Sequence, residues 1–150
     1  MANIDSTTLL DVGHMSDHGN AAVAEGTVAL AANPTAADVI RVCLIPAGTK
    51  VSALMLGNGD LDSNGAPTLV VGIGYTPVVS ADGPTASAAY FQAAGDTVLQ
   101  AANAGKLYKN FAPITFEKDV YLTMTVGTAS ATFAAGSLYL TALGTARRPK

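Results

Sequence analysis

The chain has 150 residues, a length typical of one domain, and its apolar share of 49% is enough to form a hydrophobic core. Charged residues make up only 13%, and Ala, Gly and Thr together exceed a third of the chain, which excludes a disordered protein and a coiled coil. The net charge of −3 argues against a nucleic-acid-binding protein, and the single cysteine, Cys43, excludes an internal disulfide or a cysteine-rich zinc site.

The N-terminal stretch, residues 1–26, consists of small and polar residues without a sustained hydrophobic period. We expect an irregular arm there, followed by a short strand at residues 27–31. His14 and His18 have the spacing of a helical metal-binding pair, but the glycines that flank them disfavour a helix, so solvated histidines are expected. The arm has no Lys or Arg before an apolar run, and no signal peptide is predicted.

Three apolar strands are predicted after the arm. Residues 38–45 are a run rich in β-branched side chains that ends at a Pro-Ala-Gly turn, and residues 49–56 form a second run that ends at Gly-Asn-Gly. The third strand, at residues 68–75, contains two glycines on alternate positions, Gly72 and Gly74. Glycines inside a strand indicate a bulge or a closely approaching neighbouring backbone.

The next segment is rich in alanine and punctuated by glycine, so its pattern is ambiguous. Helix propensity predicts one or two helical turns at residues 86–94, followed by a short strand or more helix at 97–102. After residue 108 the strand pattern becomes clear again. A short strand at 114–116 leads to residues 119–126, where apolar and polar side chains alternate, and residues 137–143 repeat that alternation. A period of two is typical of a strand with one buried face.

These elements, about six to eight short strands with turn signals between them, predict an all-β protein. The expected fold is a jelly roll or β-sandwich with an irregular N-terminal arm and room for one short helix. The predicted organisation is an arm at residues 1–26, a single sandwich domain at 27–146 and a basic tail at 147–150. The longest uncharged stretch of interest, residues 63–81, is interrupted by prolines and glycines, so no membrane span is predicted.

The alanine content also bears on assembly. An alanine side chain buries little area compared with Leu, Ile or Phe, so the core is expected to be thin for the length of the chain. The low charged fraction leaves much of the surface neither charged nor strongly polar. This composition predicts a homo-oligomer or a subunit docked on a larger assembly.

The metal-site candidates are Asp60, Asp62 and Asn64, which match the first alternating oxygen positions of a calcium loop. The twelfth position of that loop, where a bidentate Glu belongs, is Val71, and Pro67 lies inside the loop. An Asx-rich turn is therefore favoured over a cation site, because Asp and Asn side chains bond their own backbone in turns. No metal or other cofactor is predicted.

Nucleophilic catalysis has no support in the sequence. Cys43 lies inside an apolar strand, where a thiol is more often an inert core residue, and no Gly-x-Ser-x-Gly elbow or phosphate-binding loop is present. An enzyme is therefore not expected. The basic tail is interpreted either as a flexible solubilising end or as an electrostatic clip, through Arg147, Arg148 and Lys150, onto an acidic neighbouring subunit.

Two stretches carry a resemblance to a known family. ADVIRVCLIPAGTKVSALML, followed by an acidic turn and APTLVVGIGY, resembles head decoration (cement) proteins and related small structural proteins of tailed phages. KDVYLTMTVGTASATFAAGSLYLTAL resembles the last strands of such proteins. The similarity covers residues 27–80 and 106–143. It implies a jelly-roll or β-sandwich protein that binds the outside of a capsid shell as a dimer or trimer and has no catalytic residues.

The resemblance also sets expectations for partners and location. The expected partners are the shell of the major capsid protein and further copies of this chain, with neither nucleic acid nor a membrane. The protein would be made in the host cytoplasm and located on the capsid surface, with the N-terminal arm and the basic tail as candidate contacts. The alternative is a receptor- or carbohydrate-binding module of a tail or fibre, which is expected to display aromatic platforms, although Trp is absent.

Overall fold

A computed structural model describes residues 1–6 and 21–146. In these residues the regular structure consists of β-strands and a single 3-10 turn, and no helix is long and apolar enough to cross a membrane. The histidines at positions 14 and 18 and the basic residues Arg147, Arg148 and Lys150 lie outside the described residues.

The strands in chain order are β1 (Asn3–Asp5), β2 (Ala21–Leu30), β3 (Val39–Ile45), β4 (Thr49–Asn58), β5 (Val70–Pro77), β6 (Ser87–Asp96), β7 (Asn103–Tyr108), β8 (Ile114–Phe116), β9 (Val120–Thr128) and β10 (Gly136–Ala146). The 3-10 turn, Val98–Gln100, connects β6 to β7.

These strands form two sheets that pack face to face. Sheet 1 has the order β1-β3-β9-β5-β6, and sheet 2 has the order β2-β10-β4-β7, with β8 paired to β4. The pairing is antiparallel except between β1 and β3, which run parallel. The predicted fold class, an all-β sandwich, is confirmed.

The core lies between the sheets and follows the predicted alternation. In β9, Val120, Leu122 and Met124 are buried, and β10 contributes Leu138 and Leu140 from the opposite sheet. Every second residue of these strands points into the sandwich, so the inner faces supply one continuous apolar layer.

The N-terminal strand of sheet 2 corrects the predicted arm. β2 begins at Ala21, not at Thr27, and it pairs with β10 along its whole length, from Ala21 opposite Thr145 to Leu30 opposite Gly136. Its exposed and buried residues alternate strictly. This alternation is hard to detect in the sequence because several inward positions are Ala or Gly. These residues differ little from polar residues in hydropathy. How far the folded domain extends beyond the described residues stays a prediction.

The helical turns predicted at residues 86–94 are wrong. That segment is strand β6, which pairs with β5 at the edge of sheet 1 and buries Phe91 in the core. Alanine favours a helix only weakly, and pairing with β5 together with aromatic packing outweighs that preference.

The two glycines of β5 explain the shape of β6. The β5–β6 register shifts between Val71 and Ile73 and again between Ile73 and Tyr75, so β6 is bulged at both places. A Cβ on Gly72 would lie 2.9 Å from the carbonyl oxygen of Ala88, and a Cβ on Gly74 would collide with that of Ser87. The predicted bulge and close backbone approach are both confirmed.

Candidate docking surface

The predicted metal candidates form a turn that is tied to a second loop. The Asp62 side chain is buried, at 1% exposure, and accepts hydrogen bonds from four backbone N–H groups. The donors are Thr68 (2.7 Å), Leu69 (2.9 Å), Ala131 (3.2 Å) and Thr132 (3.0 Å). Burial alone would raise the pKa of Asp62, but the four donors together lower it well below its usual range.

Asp60 and Asn64 complete this turn. Asp60 accepts the N–H of Asp62 at 3.1 Å, and Asn64 accepts the N–H of Ala66 at 2.9 Å while its amide donates to the Thr132 hydroxyl at 2.8 Å. These contacts are those of the Asx-rich turn that the sequence favours. Among the described residues, no group of three or more His, Cys, Asp or Glu side chains is arranged to hold a metal ion.

Asp62 also joins the two sheets. It lies in the loop from β4 of sheet 2 to β5 of sheet 1, and two of its donors lie in the loop from β9 of sheet 1 back to β10 of sheet 2. One buried carboxylate therefore binds both of the loops that connect the sheets at this end of the sandwich.

The single cysteine lies in the core, as predicted. Cys43 is buried in β3, and burial, helped by the negative charge of Glu25, raises the pKa of its thiol to about 12. A protonated, enclosed thiol cannot act as a nucleophile at neutral pH.

Most aromatic rings of the described residues are packed against each other rather than displayed. Edge-to-face and tilted contacts, with ring centroids 4.8–6.5 Å apart, join one cluster between β5, β6, β8 and the loop after β7. Its members are Tyr75, Tyr90, Phe91, Phe111 and Phe116. The Tyr90 hydroxyl is used internally, since it donates to the Ala112 carbonyl at 3.0 Å. The cluster stabilises one side of the sandwich and offers little flat ring surface.

The outer face of sheet 1 is polar and partly covered by the chain itself. Arg41 forms a bidentate ion pair with Asp5, at 2.5 and 2.6 Å, and its guanidinium lies 5.0 Å from the centre of the Tyr121 ring. The bulges of β6 fold over Gly72 and Gly74 on the same side. On this face, therefore, Arg41 and Asp5 are paired and β5 is partly shielded by β6, while the buried Thr123 hydroxyl has no hydrogen-bond partner among the described residues.

The outer face of sheet 2 carries a group of exposed apolar side chains among Ser, Thr and few charged residues. Paired residues of its strands form rows across the sheet, such as Glu25–Thr141–Met55–Leu107 and Val23–Leu143–Ala53. Four of its large side chains are exposed to solvent: Val23 (45%), Met55 (37%), Leu107 (48%) and Tyr139 (38%). We call Val23, Ala53, Met55, Leu107, Tyr139 and Leu143 the sheet 2 patch.

The Tyr139 ring is fixed at one end of the sheet 2 patch. It lies over Gly57 of the neighbouring strand, where a Cβ would collide with the ring, and its hydroxyl donates to the Ala104 carbonyl at 2.8 Å. Only glycine at position 57 leaves room for this arrangement. The ring therefore spans three strands and presents a preformed aromatic surface.

The sequence offered a signal for this surface that the prediction did not use. In residues 137–143 the alternation predicts Leu138, Leu140 and Ala142 on the buried side, which leaves Tyr139 and Leu143 on the outward side. Two large apolar side chains in an outward row that otherwise carries Ser and Thr indicate a second contact.

Two other exposed apolar side chains, Val78 and Val79, lie in the loop after β5. They line a shallow depression with Ala47, whose N–H donates to Asp119 at 2.8 Å. Its other charged groups, Lys118 and Asp82, pair with each other at 2.7 Å. The charged groups of the depression are thus already bonded within the chain.

Comparisons with known proteins indicate which proteins have a similar fold and sequence. No protein-family model and no curated protein matches the chain. A chain of the cyanophage Pam1 capsid asymmetric unit is 27% identical, with a TM-score of 0.71 and a match that covers 89% of each chain. A chain of the capsid of Ralstonia phage GP4 has the same fold, with a TM-score of 0.75 and 20% identity over 99% of each chain. The chain is similar to phage capsid proteins.

Proposed function

We propose that this chain is a non-enzymatic decoration (cement) protein that binds the outside of a phage capsid shell and stabilises it. The observation that carries the proposal is the mutual coverage of the two capsid matches, 89% and 99% of both chains. Mutual coverage means that the similar chains have a comparable length, as expected for small separate capsid components rather than for one domain of a large shell protein.

The geometry supports adhesion rather than chemistry. Asp62 fixes the loops at one end, and an aromatic cluster fixes one side, so the sandwich is a rigid body with prepositioned surfaces. A rigid body that touches several shell subunits at once gains strength from many modest contacts, because each contact raises the effective concentration for the next. The thiol of Cys43 stays protonated, which leaves the described residues without an activated cysteine.

The proposed partners are the major capsid protein shell and further copies of this chain, and the proposed location is the virion surface after synthesis in the host cytoplasm. The basic tail, with Arg147, Arg148 and Lys150, is the proposed electrostatic contact with the shell or a neighbouring subunit. Exposed ion pairs contribute little each and weaken with salt, so the tail would adjust affinity without dominating it.

The test is to mix the purified protein with bare shells of its own phage and to measure co-sedimentation and the temperature at which the shells disrupt. We expect saturable binding and a higher disruption temperature. A protein that stays in the supernatant at saturating concentration would contradict the proposal. A parallel glycan array addresses the alternative of a carbohydrate-binding module, which strong glycan binding without shell binding would favour.

The tail is tested separately with a variant in which Arg147, Arg148 and Lys150 are replaced by Gln. We expect weaker shell binding with a smaller dependence on salt, whereas the same change at Lys109, an exposed lysine beyond β7, leaves binding unchanged. Equal binding by the tail variant and wild type at low salt would remove the tail from the contact.

A further inference from the structure

We infer that the sheet 2 patch is the surface through which two copies of this chain pair. The inference rests on the proposed function, which includes further copies of this chain as partners, and names the surface through which they meet. It is tested on the isolated protein, so its failure is distinguishable from a failure to bind shells. It starts from the difference between the two outer faces, of which only the face of sheet 2 combines exposed apolar side chains with a nearly uncharged surround in the described residues.

The area of the face fits a stable protein interface. Four strands about 4.8 Å apart and up to about ten residues long, at about 3.3 Å per residue, give a surface of about 600 Å². Stable interfaces bury about 600–1,000 Å² on each partner. The outer face of sheet 2 therefore reaches the lower end of that range without any contribution from the loops.

The chemistry of the face favours a second copy over the shell as its occupant. Interfaces between identical subunits are more apolar than those between proteins that meet after folding. A decoration protein has to stay soluble before it meets a shell, and exposed apolar side chains grouped on one face promote aggregation. Pairing between copies covers this face as soon as the chain folds.

The charges on the face are compatible with self-pairing. The outward residues of sheet 2 include one carboxylate, Glu25, and one ammonium group, Lys50, which lies opposite Thr145 of β10. The face is therefore neutral although the whole chain carries −3, so two copies can meet there without net repulsion. The Tyr139 ring, already held by Ala104, loses little conformational freedom on contact and is suited to be an anchor.

A matched pair of valines tests the inference by sedimentation velocity. Val23, in the sheet 2 patch, and Val79, in the loop after β5, are exposed to similar degrees, 45% and 59%. We expect wild type and Val79→Glu to sediment as the same oligomer, and Val23→Glu and Leu107→Glu to shift to the monomer mass of 15.1 kDa. A monomeric wild type, or Val23→Glu that remains oligomeric, would overturn the inference.

A measurement on wild type alone guards against variants that do not fold. Peroxide oxidises methionines according to their accessibility, and Met1, at 92% exposure, and Met124, fully buried, provide internal limits. If copies pair through the sheet 2 patch, Met55 reacts as slowly as Met124. Oxidation of Met55 at an intermediate rate, as its 37% exposure in the single chain predicts, would contradict pairing there.

Discussion

The two outer faces of the sandwich differ in what lies over their glycines. Each has glycines in a paired strand that make room for something to lie across the sheet. In sheet 1, Gly72 and Gly74 admit the bulged backbone of β6, which shields the face from outside. In sheet 2, Gly57 admits the ring of Tyr139, which leaves an aromatic surface facing outward. The comparison shows that glycines admit a neighbouring backbone in one sheet and an aromatic side chain in the other.

The largest loss of stability is expected for a substitution in the loops that connect the two sheets. Asp62→Ala leaves four backbone N–H groups, one of them buried and three partly buried, without their acceptor, in loops that connect the sheets in both directions. We expect the lowest melting temperature of all variants described here, measured by calorimetry. Asp60→Ala is the control, because it removes the acceptor of only one N–H. Equal melting temperatures for the two variants would mean that Asp62 does not hold the sheets together.

Acid is expected to lower the stability that Asp62 gives to the loops between the sheets. The pKa of Asp62 is lowered in the folded protein, so its contribution to stability is complete above the unfolded pKa of about 4 and is lost as pH falls below that value. Asp38, whose pKa is lowered by hydrogen bonds from Ala2 and Thr35, acts in the same direction. Urea unfolding at decreasing pH should give falling midpoints, and Asp62→Asn should reduce that slope. An unchanged slope in Asp62→Asn would assign the acid sensitivity to other carboxylates.

The glycines allow the same substitution to be compared on both faces. Gly74→Ala places a Cβ against the Ser87 carbonyl, which belongs to the backbone of β6, so we expect a loss of about 1–3 kcal/mol in unfolding free energy. Gly57→Ala meets only the Tyr139 side chain, which can rotate away, so the expected loss is about 1 kcal/mol or less. Denaturant titrations of both variants provide the test. A larger loss at Gly57 than at Gly74 would mean that the Tyr139 ring cannot rotate away from the added Cβ.

The smallest effect is expected at the Tyr139 hydroxyl. Tyr139→Phe removes the hydrogen bond to Ala104 but keeps the ring, so unfolding free energy should fall by about 1 kcal/mol or less. Oligomer affinity should fall modestly, because the ring is held less firmly. The check is a dilution series in the ultracentrifuge beside the same denaturant titration. A complete loss of pairing would mean that the hydroxyl itself contacts the partner.

The sequence predicted the strands whose alternation uses large apolar side chains. β9 and β10 alternate Val, Leu and Met with polar residues, and β3 is a continuous apolar run, so their positions were predicted to within a few residues. β2 and β6 were misjudged because alanine marks neither face of a strand and favours a helix. Their conformation depends on pairing partners that are distant in the chain.

The candidate surface was less accessible to sequence reasoning than the fold. Asp62 was singled out for its spacing, but two of its donors lie about seventy positions further along the chain and depend on the sheet topology. The sheet 2 patch combines residues of four strands whose order, β2-β10-β4-β7, no local pattern specifies. The expectation of an exposed, weakly charged surface came from composition alone.

A reconstruction of the intact virion by electron cryomicroscopy tests the central claim most directly. The account predicts density for this two-sheet sandwich on the outer surface of the shell, with neighbouring copies meeting through the outer faces of sheet 2. Density for the sandwich in the tail, or virions that lack the protein altogether, would contradict it.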